Sequence, residues 1–213
     1  MTITKAVIPA AGLGTRLYPA TKSQPKEMLP LGTRPTIQFV AEELVGAGLH
    51  QLLIVTGRQK RAIEDHFDPA DGLHPENKCE RCAEIFDTSK VHFFYIRQSS
   101  PRGLGDAVAH AEDFTSSDHF VVALGDCVIT SPGRSDLLKR MVQTHSEMGA
   151  AATIAVQRVS PEATRKYGIV APVGPVDGPY VKLQDLVEKP GPDKAPSNLA
   201  VCARYVFSPA VFE

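Results

Sequence analysis

The sequence predicts an α/β fold with a mixed, mainly parallel central sheet flanked by helices, and three observations predict it. Short β-branched runs alternate with longer amphipathic stretches, which is the pattern of βαβ units. A glycine-bearing loop leaves the carboxyl end of the first apolar run, where open α/β sheets bind ligands. The chain has 213 residues, of which 43% are hydrophobic and 22% charged, enough to bury an ordinary core as one domain.

Thr4–Ile8 reads as the first strand, and residues 36–47 as a helix with Ile37, Val40, Ala41 and Leu44 on one face, ended by Gly46 and Gly48. Gln51–Val55 is the second strand, residues 59–67 a helix and Val91–Ile96 the third strand. A helix follows Gly105, with Asp106 at its start as the expected cap. Residues 119–124 form a fourth strand, 136–148 a helix and 151–156 a fifth strand. Beyond Ser160, Gly and Pro become frequent and strands crowd together at Gly168–Val170, Val181–Leu183 and Val201–Phe207, which predicts antiparallel or mixed pairing there. The polar stretch from Asp68 to Lys90 reads as a surface excursion. No repeat or linker divides the chain.

Composition excludes several function classes. Lys+Arg 23 against Asp+Glu 24 leaves a net charge of -1, which argues against a nucleic-acid binder whose affinity rests on surplus cations meeting phosphates. No apolar run approaches the roughly 20 residues a bilayer span requires, and the start lacks a secretory pattern, so the expectation is a cytoplasmic protein with no membrane partner. Four cysteines are too few for a disulfide framework. Cys79 and Cys82 have the spacing of half a zinc site, and His74 and His92 lie nearby. No second pair follows, and no metal is assigned there.

The most informative segment is PAAGLGTRLYPATKSQPKEMLP, residues 9–30. Its small residues let a ligand approach the main chain, and its exposed N–H groups can cradle phosphate oxygens. Arg16 offers a planar fork of donors and Lys26 a second positive charge, so a polyphosphate is the natural guest. Two other glycine loops are excluded. The dinucleotide fingerprint fails because Leu17 occupies the third glycine position and Pro19 and Pro25 interrupt any helix, and the Walker sequence is absent.

That string closely resembles the N-terminal signature of the sugar-nucleotide pyrophosphorylases, and among them the bacterial UTP:glucose-1-phosphate uridylyltransferases. RQSSPRGLGDAV at residues 97–108, VVALGDCVI at 121–129, YGIV at 167–170, LVEKP at 186–190 and APSNLAVCARYVF at 195–207 agree in order, so the resemblance spans nearly the whole chain. It implies a Rossmann-like nucleotide-diphospho-sugar transferase fold and a single domain over residues 1–213, with a nucleotide-binding half at 1–159 and a sugar-phosphate-binding half at 160–213. The implied reaction joins UTP and glucose 1-phosphate to give UDP-glucose and pyrophosphate, by in-line attack of the sugar phosphate on the α-phosphorus. Positioning and charge neutralisation then dominate the catalysis.

The resemblance also implies roles residue by residue. Ala11 and Gly12 meet the base through their main chain, while Gly14, Thr15 and Arg16 hold the triphosphate. Lys26 neutralises charge on the reacting phosphates. Gln98 and Gly103 recognise uracil, and Asp126, following an apolar strand, holds Mg²⁺. Gly168 lies against the sugar, Glu188 binds its hydroxyls and Lys189 its phosphate. Because adjacent strand residues face opposite ways, Glu188 and Lys189 serve one pocket only if the strand end bends at Pro190.

This chain departs from the family pattern at Cys127, where a second acidic residue is usual. Family members also continue for many tens of residues past Glu213, a region that normally completes the magnesium site. Two alternatives stay open: a nucleotide- or sugar-phosphate-binding protein without turnover, and a related enzyme using another nucleotide or hexose phosphate. A homo-oligomer is compatible with the sequence, which does not fix the state.

Overall fold

The computed structural model describes residues 2–68, 86, 88–130 and 135–213. The chain forms two compact units, one comprising residues 1–153 together with 205–213, the other residues 154–204.

In the first unit, β1 (Lys5–Pro9) leads into the glycine loop, followed by the short strands β2 (Pro30–Leu31) and β3 (Arg34–Pro35) and helix α1 (Thr36–Gly46). Strand β4 (Gln51–Thr56), helix α2 (Arg61–Phe67) and strand β5 (His92–Arg97) come next. After them run α3 (Leu104–Ala109), α4 (Glu112–Thr115), β6 (Phe120–Ala123) and α5 (Asp136–Met148). Strand β1 is central: it pairs in parallel with β4 on one side and β6 on the other, and β4 pairs in parallel with β5. All four strands therefore end on the same edge. A strand flanked on both sides must be apolar on both faces, and Ala6, Val7, Ile8, Leu52, Ile54, Val55 and all of β6 are buried accordingly. The predicted face of α1, Ile37, Val40, Ala41 and Leu44, is fully withdrawn from water. Tyr205, Phe207 and Phe212 pack against the core formed by Val7, Val55, Val108 and Phe120.

Strand β7 (Ala152–Arg158) carries the chain into the second unit, where β8 (Gly168–Pro172), β9 (Leu183–Glu188) and β10 (Leu199–Phe207) follow. Strands β8 and β9 are antiparallel, with Gly168 opposite Glu188, and β10 pairs antiparallel to β8 through Ala200 and Ile169. The strand expected at Val181–Leu183 instead starts at Leu183 and runs to Glu188. Pro172 has no N–H to donate, the ladder is irregular at Ala171/Pro172, and only a bond from Val173 N–H to the Lys182 carbonyl continues it. Polar Asp185 still pairs, opposite Ala171, while Gln184 is passed over at the register shift.

The metal-like group Cys79, Cys82 and His74, and most of the predicted excursion, lie outside the described residues. His92 opens β5 and is exposed. Among the described residues no helix is long and apolar enough to cross a membrane.

His145, on α5, is 1% exposed and stacks edge-on with His119, their ring nitrogens 2.8 Å apart. Its other ring nitrogen lies 3.0 Å from the Thr153 hydroxyl. Burial first, and the neighbouring His119 second, hold its pKa below the ordinary histidine value. The unfolded chain therefore takes up this proton before the folded one, so His145 costs stability as pH falls below about 6.5 and has no effect above it. Wild-type protein should lose more melting temperature between pH 7.5 and 5.5 than His145→Asn, as read by thermal denaturation at the two pH values.

Candidate active site

The carboxyl ends of the four parallel strands converge on one edge of the first unit. The glycine loop follows β1, Gly57 and Lys60 follow β4, Gln98 follows β5, and Gly125 and Asp126 follow β6. This is the edge at which open α/β sheets bind ligands, because each strand there hands over to a loop of free geometry.

The loop is shaped by close approach. Gly14 has φ +69°, and a Cβ there would stand 3.3 Å from Thr21 Cβ and 3.4 Å from Lys26 Cβ, so both conformation and space favour glycine. The Gly14 carbonyl accepts from the Thr21 hydroxyl at 2.7 Å and from Leu17 N–H at 2.9 Å, closing the short helical turn Thr15–Leu17. Thr15 and Arg16 on that turn are exposed, and the Arg16 guanidinium has no ion-pair partner among the described residues. Gly57 packs so closely that a Cβ would meet the Ala11 carbonyl at 3.0 Å, which pins Ala11 at the end of β1.

Lys26 starts a second short turn, Lys26–Met28, after Pro25. Thr36, the first residue of α1, gives both its N–H and its hydroxyl to the Leu29 carbonyl, at 3.1 and 2.9 Å, and so ties the turn to the helix. The Lys26 ammonium lies 2.5 Å from Asp126 Oδ2 and 3.9 Å from Glu27 Oε1, with Gly12 close beside its tip. Glu27 in turn holds Lys60 at 2.7 Å. The side chains of Glu27 and Lys60 are 1% and 5% exposed, whereas that of Asp126 is 37% exposed. Burial pushes the Glu27 carboxyl above its usual range against the opposing pull of Lys60. Lys60 and Glu27 are site-building residues that the sequence reading missed. They stand 33 positions apart, and only the packing of the loop after β4 under the Lys26 turn brings them together.

Gln98 is buried, and its side-chain N–H groups donate to Asp106 Oδ2 at 2.5 Å and to the Gly103 carbonyl at 3.4 Å. The expected capping role of Asp106 is not realised. The helix starts two residues earlier, at Leu104 after Gly103 at φ +108°, no side chain caps it, and the Asp106 carboxylate turns to Gln98.

In the second unit, Gly168 sits opposite Glu188, and a Cβ there would come within 3.2 Å of Glu188 Oε2. The glycine thus leaves room for that carboxylate. Lys189 has φ +47°, which bends the chain as β9 ends, and its ammonium pairs with Glu188 Oε1 at 2.9 Å, so the two side chains meet. Among the described residues no group of three or more His, Cys, Asp or Glu stands ready for a metal ion. Asp126, paired with Lys26, carries an exposed carboxylate at the rim, a hard oxygen donor of the kind that suits Mg²⁺.

A glycine-lined loop carrying cations, at the rim where parallel sheets bind ligands, is the setting of a nucleotide-handling protein. Residues 5–213 match the family model described as nucleotidyl transferase, and the chain belongs to this family. It is 46% identical over 216 residues to UTP–glucose-1-phosphate uridylyltransferase 2 of Streptococcus pyogenes serotype M3, covering 99% of this chain and 72% of that protein. Among solved structures it resembles the UTP-bound UGPase from Acinetobacter baumannii, with a TM-score of 0.90 at 37% identity over 99% of this chain and 76% of the other. A UDP-glucose pyrophosphorylase complexed with UDP-glucose gives 0.88 at 37% identity, covering 99% and 78%.

Removing one partner of the buried pair strands the other's charge. Glu27→Gln or Lys60→Met alone should each cost about 3–5 kcal/mol of stability. The double substitution should cost less than the sum of the two, as read by denaturant unfolding of all four proteins.

Proposed function

We propose that this chain is a UTP–glucose-1-phosphate uridylyltransferase, forming UDP-glucose and pyrophosphate. The observation that carries the reading is the Lys26 ammonium, held at the rim of the sheet by Asp126 and Glu27 beside Gly12 of the glycine loop. The names of relatives at 46% and 43% identity support the choice of substrates.

In this reading Ala11, Gly12 and Gly14 let the nucleotide lie against the main chain, and Thr15 and Arg16 take the triphosphate. The uracil edge falls to Gln98 and Gly103. Lys26, paired with the partly exposed Asp126 carboxylate, can exchange that partner for the phosphate under attack. In the second unit, Glu188 is assigned to sugar hydroxyls and Lys189 to the phosphate of glucose 1-phosphate, with Gly168 leaving space beside them. Each of these two side chains exchanges the other for substrate.

The reaction forms one P–O bond, from a phosphate oxygen of glucose 1-phosphate to the α-phosphorus, and breaks the α–β bridge, releasing pyrophosphate. A phosphate nucleophile is already ionised at neutral pH, so no general base is required. The protein's work is to align the two anions and offset their repulsion. Asp126 would hold Mg²⁺, which when bound shares the charge of the phosphate oxygens.

Purified protein given UTP, glucose 1-phosphate and Mg²⁺ should release pyrophosphate and UDP-glucose in equal amounts. Tight UTP binding with no product would turn the reading toward a non-catalytic binder. Lys26→Ala should lower turnover by about 10²–10³-fold, the range for loss of one transition-state charge contact, with little change in melting temperature. For Asp126→Asn, the activating Mg²⁺ titration should shift to higher concentration, and an unmoved midpoint would remove Asp126 from the metal site.

A further inference from the structure

The amide of Gln98 faces two groups of the protein, the Asp106 carboxylate and the Gly103 carbonyl, and both are acceptors only. Gln98 is 4% exposed, so an unpaired amide group here is costly. Turning the amide over would set its oxygen against a carboxylate and a carbonyl and leave its two N–H groups without those partners. One orientation is therefore imposed: the NH₂ faces Asp106 and the carbonyl oxygen faces away. Asp106 is in turn approached by His110 Nε2 at 3.7 Å, from the next turn of its helix. The Gly103 carbonyl accepts from Gln98 and from Ala107 N–H at 3.2 Å, which leaves its own N–H as the group it can offer a ligand.

We propose that Asp106 is a specificity-determining positioning residue, fixing the Gln98 amide so that the base subsite presents an acceptor oxygen. A ring that donates at N3, uracil or thymine, is then matched. Cytosine, whose N3 is itself an acceptor, is opposed. This rests on the nucleotide role assigned to Gln98 above and adds what decides which end of its amide meets the base.

The test compares UTP and CTP, through dissociation constants from calorimetry with Mg²⁺ and kcat/KM with glucose 1-phosphate. Asp106→Asn is nearly isosteric and can offer its own NH₂, which frees Gln98 to turn over. The preference for UTP should fall by about tenfold, the worth of one well-formed hydrogen bond, while the KM for glucose 1-phosphate holds. Asp106→Ala, which removes the acceptor without supplying a donor, should move the ratio the same way. In a Gln98→Ala background, Asp106→Asn should change the ratio no further. An unchanged UTP-to-CTP ratio in both Asp106 variants, or equal weakening of both nucleotides, overturns the inference alone. A wild-type chain that binds neither nucleotide overturns it together with the proposed function.

Discussion

The position of the Lys26 ammonium depends on the buried ion pair that its neighbour in the turn, Glu27, makes with Lys60. Glu27 and Lys60 are withdrawn from water together, and the turn from which Lys26 projects is fastened by that contact on one side and by Thr36 on the other. Such a pair is weak evidence for stability, because desolvating both charges offsets much of their attraction. Its consequence is geometric. Glu27 can move from Lys60 only by leaving a buried ammonium uncompensated, so residue 26 is confined to one place on the rim. The second oxygen of Glu27 has no hydrogen-bond partner among the described residues and lies on the Lys26 side, which biases that ammonium inward.

In the proposed function the loop would meet phosphate differently from a helix N-terminus. A helix presents a row of N–H groups whose dipole favours an anion. Here only short turns are available, Thr15–Leu17 and Lys26–Met28, with prolines between them that forbid a continuous helix. Backbone donors alone would be too few, so side-chain cations take over. That explains why Arg16 and Lys26 accompany the glycines, and why those glycines matter for closeness. Gly14 admits Thr21 and Lys26 against the main chain, and Gly12 leaves the end of the Lys26 side chain in contact range.

Much of this was legible in the sequence, for reasons that differ by element. Helix α5 runs over the predicted residues 136–148 and α1 within one residue of prediction, because their apolar spacing and terminal glycines act locally. The parallel strands were visible as uninterrupted apolar runs. Strand β9 was placed too early because residues 184 and 185 are polar: Asp185 holds its place by pairing with Ala171 of β8, and Gln184 sits at the register shift. Asp106 shows the same limit. An acidic residue in a first turn reads as a helix device, and nothing local reveals that a glutamine eight positions earlier claims its carboxylate. Lys60 reads as an ordinary surface lysine until the fold buries it against Glu27. What the sequence conveys is the residues that the proposed function assigns to ligands, and what it hides is the partners that hold them, since those are chosen by long-range packing.

Charge balance links these partners to turnover. The chain is nearly neutral, with a net charge of -1, yet its proposed substrates bring several negative charges to one place. A cluster of unpaired cations would meet them but would repel itself when the site is empty. The arrangement avoids this by pairing: Lys26 with Asp126 and Lys189 with Glu188 are both partly solvent-accessible, so each lysine can exchange a carboxylate for a phosphate at little net cost. Lys60 is buried and cannot exchange, which suits a residue that sets geometry. Arg16, exposed and without an ion-pair partner among the described residues, would in the proposed function be free to meet the triphosphate. In the proposed function, Asp126 freed from Lys26 by an arriving phosphate would be a carboxylate able to hold Mg²⁺ beside the phosphate oxygens.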